Sequence, residues 1–146
     1  MKNKETVLPA PVLIVEDEAM IRSRLDLILS ELGYSQDMLI FAKNLAEAMQ
    51  IIASQPISLA LVDLGLPDGN GITLIEKLRD IDESALILVI SAWSTQQSLF
   101  ASIKAGANGY VLKERDDAEV LMSIRSILRG GAPIDPCLLY TSDAAD

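Results

Sequence analysis

Carboxylates follow directly on two short apolar runs of this chain. Val12-Leu-Ile-Val15 runs into Glu16-Asp17-Glu18, and Leu59-Ala-Leu-Val62 runs into Asp63 and then a Pro/Gly-rich loop, Leu64 to Gly71. Two further runs end on other polar groups, Leu86 to Ile90 on Ser91-Ala92 and Gly109 to Leu112 on Lys113. Carboxylates brought together cannot all stay ionised unless a cation joins them; otherwise at least one pKa rises. An all-oxygen set without His or Cys suits a hard ion, with Mg²⁺ the natural candidate. Mg²⁺ keeps several waters and takes one or two protein carboxylates plus phosphate oxygens, which matches a site awaiting a phosphoryl group. The Lys113 ammonium can pair with Asp63 when that site is empty and with a phosphoryl oxygen when it is occupied. Ser91 can donate its hydroxyl to the same group, and the small Ala92 leaves room. Taken singly, Asp63 reads as a turn or cap aspartate, Lys113 as a solvated strand-end lysine and Ser91 as a helix cap. Taken together, in this order and each at the end of an apolar run, they point to one pocket.

Such a pocket needs elements that bring the ends of those runs to one place. The runs have the length and composition of buried parallel strands; a weaker one, Met38-Leu-Ile-Phe41, leads to Ala42-Lys43-Asn44. Between them apolar residues recur three to four apart: Ile21, Leu25, Ile28, Leu32; Leu45, Met49, Ile52; Ile72, Ile75, Leu78. Two later helices are predicted, from about Ser94 to Ala105 with Leu99 and Ile103, and from about Asp116 to Arg129 with Val120, Ile124, Ile127 and Leu128. Five strand–helix alternations predict an α/β fold with a parallel sheet between helices. Open sheets of this kind keep their ligand sites at the carboxyl ends of the strands, where Glu16, Asp17 and Asp63 should converge. Asp68 reads as a cap of the loop or of the helix after it rather than as a metal ligand.

Bulk properties narrow the chemistry. The 146 residues make one domain, half of them apolar and 23% charged, which fits a globular chain. No apolar run approaches a membrane span, and Met1 to Pro11 lacks a signal-peptide pattern, so the expected location is the cytoplasm. One cysteine cannot form an internal disulfide and suits a reducing compartment. A formal charge of −9 argues against a direct grip on nucleic acid, which needs clustered Lys and Arg. The absence of histidine removes Ser-His-Asp and Cys-His machinery and any phosphohistidine carrier. There is no P-loop, and Glu-Asp-Glu stands where a dinucleotide-binding glycine motif would follow the first strand.

The order Glu16-Asp17, Asp63, Ser91-Ala92, Lys113 resembles the receiver domain of bacterial two-component response regulators, over about Pro11 to Gly130. The resemblance implies a flavodoxin-like (βα)₅ doubly wound sheet with strand order 2-1-3-4-5. It implies that Asp63 accepts a phosphoryl group from a partner histidine kinase or phosphotransfer protein, as a phosphoacceptor rather than an enzyme. Mg²⁺ would be held by Glu16, Asp17, Asp63 and the Gly65 backbone carbonyl, while Lys113 and Ser91 contact the phosphoryl group. Asp63 would act as a carboxylate nucleophile and form a mixed anhydride. Ser91 and Tyr110 would form a switch pair: Ser91 moves toward the phosphoryl group and Tyr110 rotates inward. The alternative for Tyr110 is a half-buried strand tyrosine with its hydroxyl in water. The surface so altered, formed by the last two helices and the Tyr110 strand, often dimerises in the family. Trp93 should sit near the pocket mouth. Many receivers place a cis-proline after the lysine; here Glu114 follows, which leaves the loop trans or strained. LuxR/NarL-type receivers often lack that proline, and they show a Gly-Tyr-x-Leu-Lys strand and a Gly-Gly-x-Pro-Ile linker, like Gly109 to Lys113 and Gly130 to Ile134.

The chain divides by this reading into a lead-in (1–10), a receiver domain (11–130), the start of a linker (131–136) and a tail (137–146). Glycine ends the last helix and the prolines forbid its continuation. In the family such a linker leads to a helix-turn-helix domain, so contact with DNA would come only through that missing part. Cys137 to Asp146 are what TGT CTC TTA TAC ACA TCT GAC GCT GCC GAC would encode, which resembles a transposase adapter used in short-read library preparation. The tail is therefore read as an appended artefact and left out of fold reasoning. Two outputs follow: a transcription regulator lacking its effector domain, or a stand-alone receiver that docks proteins or serves as a phosphate sink. A phosphatase of the haloacid-dehalogenase type would need a second Asp two residues after the nucleophile, and Gly65 stands there.

Overall fold

Four-residue runs of Val, Ile, Leu and Ala can be buried on both faces only inside a layered sheet. The computed structural model of the chain, which describes residues 7–138, places them there. Strands β1 (Val12–Val15), β2 (Leu39–Ala42), β3 (Leu59–Val62), β6 (Leu86–Ser91) and β7 (Gly109–Leu112) form one parallel sheet in the order β2-β1-β3-β6-β7. Two short strands, β4 (Gly65–Leu66) and β5 (Gly69–Asn70), make a separate antiparallel hairpin in the loop after Asp63. With that hairpin set aside, the order is the predicted 2-1-3-4-5 of a flavodoxin-like fold.

Alternation along each strand sorts the core into two layers. Leu13, Val15, Ala60, Val62, Ile87 and Val89 face one side and pack with Ala48 and Ile52 of α2 (Leu45–Ser54), Leu74, Ile75 and Leu78 of α3 (Gly71–Ile81), and Leu99 of α4 (Gln96–Ala105). Val12, Ile14, Leu59, Leu61, Leu88 and Ile90 face the other and pack with Leu25, Ile28 and Leu29 of α1 (Ala19–Leu32) and Val120, Ile124 and Ile127 of α5 (Asp117–Leu128). Among the described residues no helix is long and apolar enough to cross a membrane.

Helix α4 starts later than periodicity predicted because Thr95, not Ser94, caps it: its hydroxyl accepts the Ser98 N–H at 3.1 Å. Asp116 likewise caps α5 by accepting from the Glu119 N–H at 2.9 Å. The Lys113–Glu114 peptide is trans, with no positive φ outside glycine among the described residues.

Residues 133–135 run along the outer edge of β7. The Tyr110 N–H donates to the Pro133 carbonyl at 2.9 Å, and the Asp135 N–H donates to the Tyr110 carbonyl at 3.0 Å. The buried Asp135 carboxylate accepts the Leu112 N–H at 3.3 Å and two guanidinium donors of Arg115 at 2.8 and 2.7 Å. That fork, the strongest of its bonds, holds the Asp135 carboxyl below the usual carboxylate range. Gly109 permits the approach, since a Cβ there would lie 2.7 Å from the Pro133 carbonyl oxygen. Leu138 is buried in the core layer that contains Leu99. The predicted lead-in and tail fall largely outside the described residues, at 1–6 and 139–146.

Candidate functional site

The β1–β3 register builds the acidic corner. Val15 pairs with Val62, the Asp63 N–H donates to the Val15 carbonyl at 3.0 Å, and the Glu16 N–H donates to the Ala42 carbonyl at 3.0 Å. Glu16 and Asp63 therefore continue adjacent strands past the end of the core, 1% and 5% exposed, while Asp17, one residue later, is exposed. Each of the three can offer a carboxylate oxygen within 4.8 Å of the others. Three hard oxygen donors at that spacing fit a small divalent cation.

Lys113 closes the corner from two strands away. It stands at the end of β7, which is separated from β3 by β6. Its N–H donates to the Ser91 carbonyl at 2.9 Å, and its side chain crosses the end of β6. The ammonium reaches Asp63 Oδ2 at 3.1 Å and Glu16 Oε1 and Oε2 at 3.0 and 3.2 Å. Asp63 Oδ1 accepts the Gly65 N–H at 3.3 Å, and Glu16 Oε2 accepts the Glu18 N–H at 3.0 Å. Burial pushes both the Asp63 and Glu16 carboxyls up, and their bonds to Lys113 only partly offset it. Burial alone would lower the Lys113 ammonium, but the hydrogen bonds it donates to Glu16 and Asp63 outweigh it and raise it.

The expected switch pair meets on a single residue. Ser91 is buried and its Oγ accepts the Trp93 N–H at 3.0 Å, in a turn rather than a helix cap. Tyr110 is fully buried, and its hydroxyl donates to the Trp93 carbonyl at 2.7 Å. The picture of a half-buried tyrosine with a wet hydroxyl is thus replaced by an inward side chain, because the β7 alternation turns it into the core layer under α4. Trp93 itself is 41% exposed. Its indole lies against Gly65, where a Cβ would be 3.2 Å from Cζ2. It stands at the pocket mouth, as predicted.

Asp68 caps a helix, but one that precedes it in the chain. Its two oxygens accept the Leu45 and Ala46 N–H groups at 2.7 and 3.0 Å, and these bonds lower its pKa. The sequence pointed to the loop or the following helix because the fold-back of the loop onto α2 is a tertiary fact. Two α1 arginines also went unread. Arg22 Nη1 donates to the Glu16 carbonyl at 2.8 Å, and Arg24 reaches the loop after Lys113. A signal was available for Arg22 alone: a cation in the first turn of a helix opposes its dipole and needs another reason to be there.

The chain matches the response regulator receiver domain family over residues 12–125. It belongs to that family and is the receiver domain of a response regulator. It is 35% identical over 118 residues to the transcriptional regulatory protein PhoP of Escherichia coli (strain K12), covering 81% of this chain and 52% of PhoP. The chain thus spans about half the length of that relative. A receiver domain protein (CheY-like) from Methanospirillum hungatei superposes with a TM-score of 0.74 at 27% identity, covering 82% of this chain and 93% of that one. A LuxR-family two-component response regulator from Aurantimonas shares the fold at a TM-score of 0.78 and 23% identity, covering 94% and 99% of the two chains.

Proposed function

We propose that Asp63 is the phosphoacceptor of a two-component relay, charged by the phosphohistidine of a sensor kinase or phosphotransfer protein. The observation that carries this reading is the Lys113 ammonium held between Asp63 and Glu16 at 3.0 to 3.2 Å, beside an oxygen cluster of cation-binding spacing. An Asp63 oxygen attacks phosphorus, the phosphorus–nitrogen bond of the donor breaks, and its electron pair returns to the imidazole. The product is an acyl phosphate on Asp63. Lys113 then follows the charge from the carboxylate to a phosphoryl oxygen, and Ser91 offers its hydroxyl to another. Glu16, Asp17, Asp63 and the Gly65 carbonyl would hold Mg²⁺, which offsets phosphoryl charge when bound. The domain consumes its donor to change its own state and turns over no external substrate for its own sake.

A shift of Ser91 toward the phosphoryl group would pull on the Trp93 amide that its Oγ accepts, and Tyr110 holds the carbonyl of that same residue. The Ser91–Tyr110 pair therefore transmits the change through Trp93 to α4. We place self-association on the α4–β7–α5 face, where Phe100 and Ile103 are exposed. The output is transcription control through a C-terminal helix-turn-helix domain in the cytoplasm; the regulatory role stated for PhoP and the Gly-Gly-x-Pro-Ile linker support this over a stand-alone receiver.

Intact-mass analysis after incubation with acetyl phosphate and Mg²⁺ tests the reading. One phosphoryl adduct is expected, absent in Asp63→Asn and without Mg²⁺. An adduct that survives Asp63→Asn would overturn the assignment.

A further inference from the structure

Arg24 lies in the second turn of α1 and reaches the segment that follows β7. Its Nη1 donates to the Lys113 carbonyl at 2.9 Å, its Nη2 to the Arg115 carbonyl, and its Nε to the Asp117 carboxylate. One planar guanidinium thus ties three points of the Lys113–Asp117 segment to a helix about ninety residues away in sequence. The Lys113 N–H is held by the Ser91 carbonyl, the Arg115 N–H by the Leu112 carbonyl at 3.1 Å and the Arg115 side chain by Asp135. The Lys113 and Arg115 carbonyls, however, are held by Arg24, and Glu114 supplies no proline ring to stiffen the turn. The Lys113 side chain must cross β6 to reach Asp63, so small backbone shifts at residue 113 are amplified at its ammonium.

Stability alone accounts poorly for this arrangement. The Arg24–Asp117 pair is half exposed to water, with Asp117 at 65%, and such pairs contribute little. Two of the three bonds go instead to backbone carbonyls, one of them that of Lys113 itself. We propose that Arg24 is a positioning residue for Lys113: it fixes the backbone from which the ammonium is aimed at Asp63. This rests on the phosphoacceptor reading for its effect on rate, but not for its effect on the Lys113 ion pair.

The test compares Arg24→Met, which keeps the apolar stem, with Arg24→Lys, which keeps the charge but loses the fork. Phosphoryl uptake from acetyl phosphate with Mg²⁺ should slow about tenfold in Arg24→Met, as expected for a modest misplacement of a charge-stabilising group. Arg24→Lys should fall between it and the parent chain. In a Lys113→Ala background Arg24→Met should cause no further slowing; a full additional penalty there would overturn the proposal. A second readout is the ¹⁵N NMR signal of the Lys113 ammonium, which should be ordered in the parent and lost in Arg24→Met. If the parent takes up no phosphoryl group, the functional reading fails while this signal still decides the role of Arg24. Its persistence in Arg24→Met counts against the proposal. Should Arg24→Met fail to fold, Arg24→Lys carries both measurements.

Discussion

Asp63 and Glu16 are buried together, and their charge is offset by the Lys113 ammonium and by the Gly65 and Glu18 N–H groups. Both carboxyls are raised above their ordinary values, by burial first. The sign follows directly. Between the unfolded carboxylate pKa of about 4 and the raised folded values, the native state binds more protons than the unfolded one. Stability of the metal-free domain therefore falls as pH rises through that window. Urea melts at pH 5 and pH 7 without Mg²⁺ should show it, and Asp63→Asn should flatten the slope and raise the neutral-pH midpoint. Mg²⁺ should raise the parent midpoint by mass action and do so much less in Asp17→Asn. Lys113 acts in the same sense but much higher: its raised pKa keeps its contribution intact until pH exceeds its ordinary value, above which stability is again lost as pH rises. At this scale the sequence was most legible, since Glu16, Asp63 and Lys113 each terminate a strand and strand ends fix position. The guanidinium of Arg24 was not, because its reach depends on how α1 lies beside α5.

Elements set where these residues stand, and Gly71 shows how tightly. It opens α3 directly beneath the end of β3, and a Cβ there would overlap the Asp63 carbonyl oxygen and lie 3.1 Å from Leu64 Cα. Both neighbours are backbone, so neither can rotate away. Gly71→Ala should cost roughly 1–3 kcal/mol in chemical denaturation, in the range of core overpacking, and slow phosphoryl uptake by displacing Asp63. The strands themselves were legible because strands buried on both faces must be continuous apolar runs. The β4–β5 hairpin was not, since Gly-Leu-Pro-Asp-Gly-Asn reads only as a turn. The capping of α2 by Asp68 escaped for a related reason: a cap normally lies beside its own helix in sequence, and this one arrives from more than twenty residues downstream.

The whole molecule lays residues 133–135 along the edge of its sheet. Pro133-Ile-Asp135 has a single apolar side chain and a proline, so nothing in its composition announces pairing with β7. The pairing depends on the Arg115–Asp135 fork and on the glycine at 109. Arg115→Ala should release residues 133–135 and accelerate amide exchange at Tyr110 and Leu112, while β1 and β3 amides at the sheet centre stay protected. Acid should do the same in the parent. Because the Asp135 carboxyl is depressed, its contribution is present above the ordinary value of about 4 and disappears as pH falls below it.

A parallel sheet has two open rims, and an unpaired rim next to apolar side chains invites another chain to add itself. Here the β7 rim is filled from within by 133–135, directly beside Leu99, Phe100 and Ile103 of α4. Trimming the chain at Gly131 would bare the Tyr110 N–H and carbonyl together with those side chains. The covering of that rim therefore rests on three residues that look, in sequence, like connecting thread.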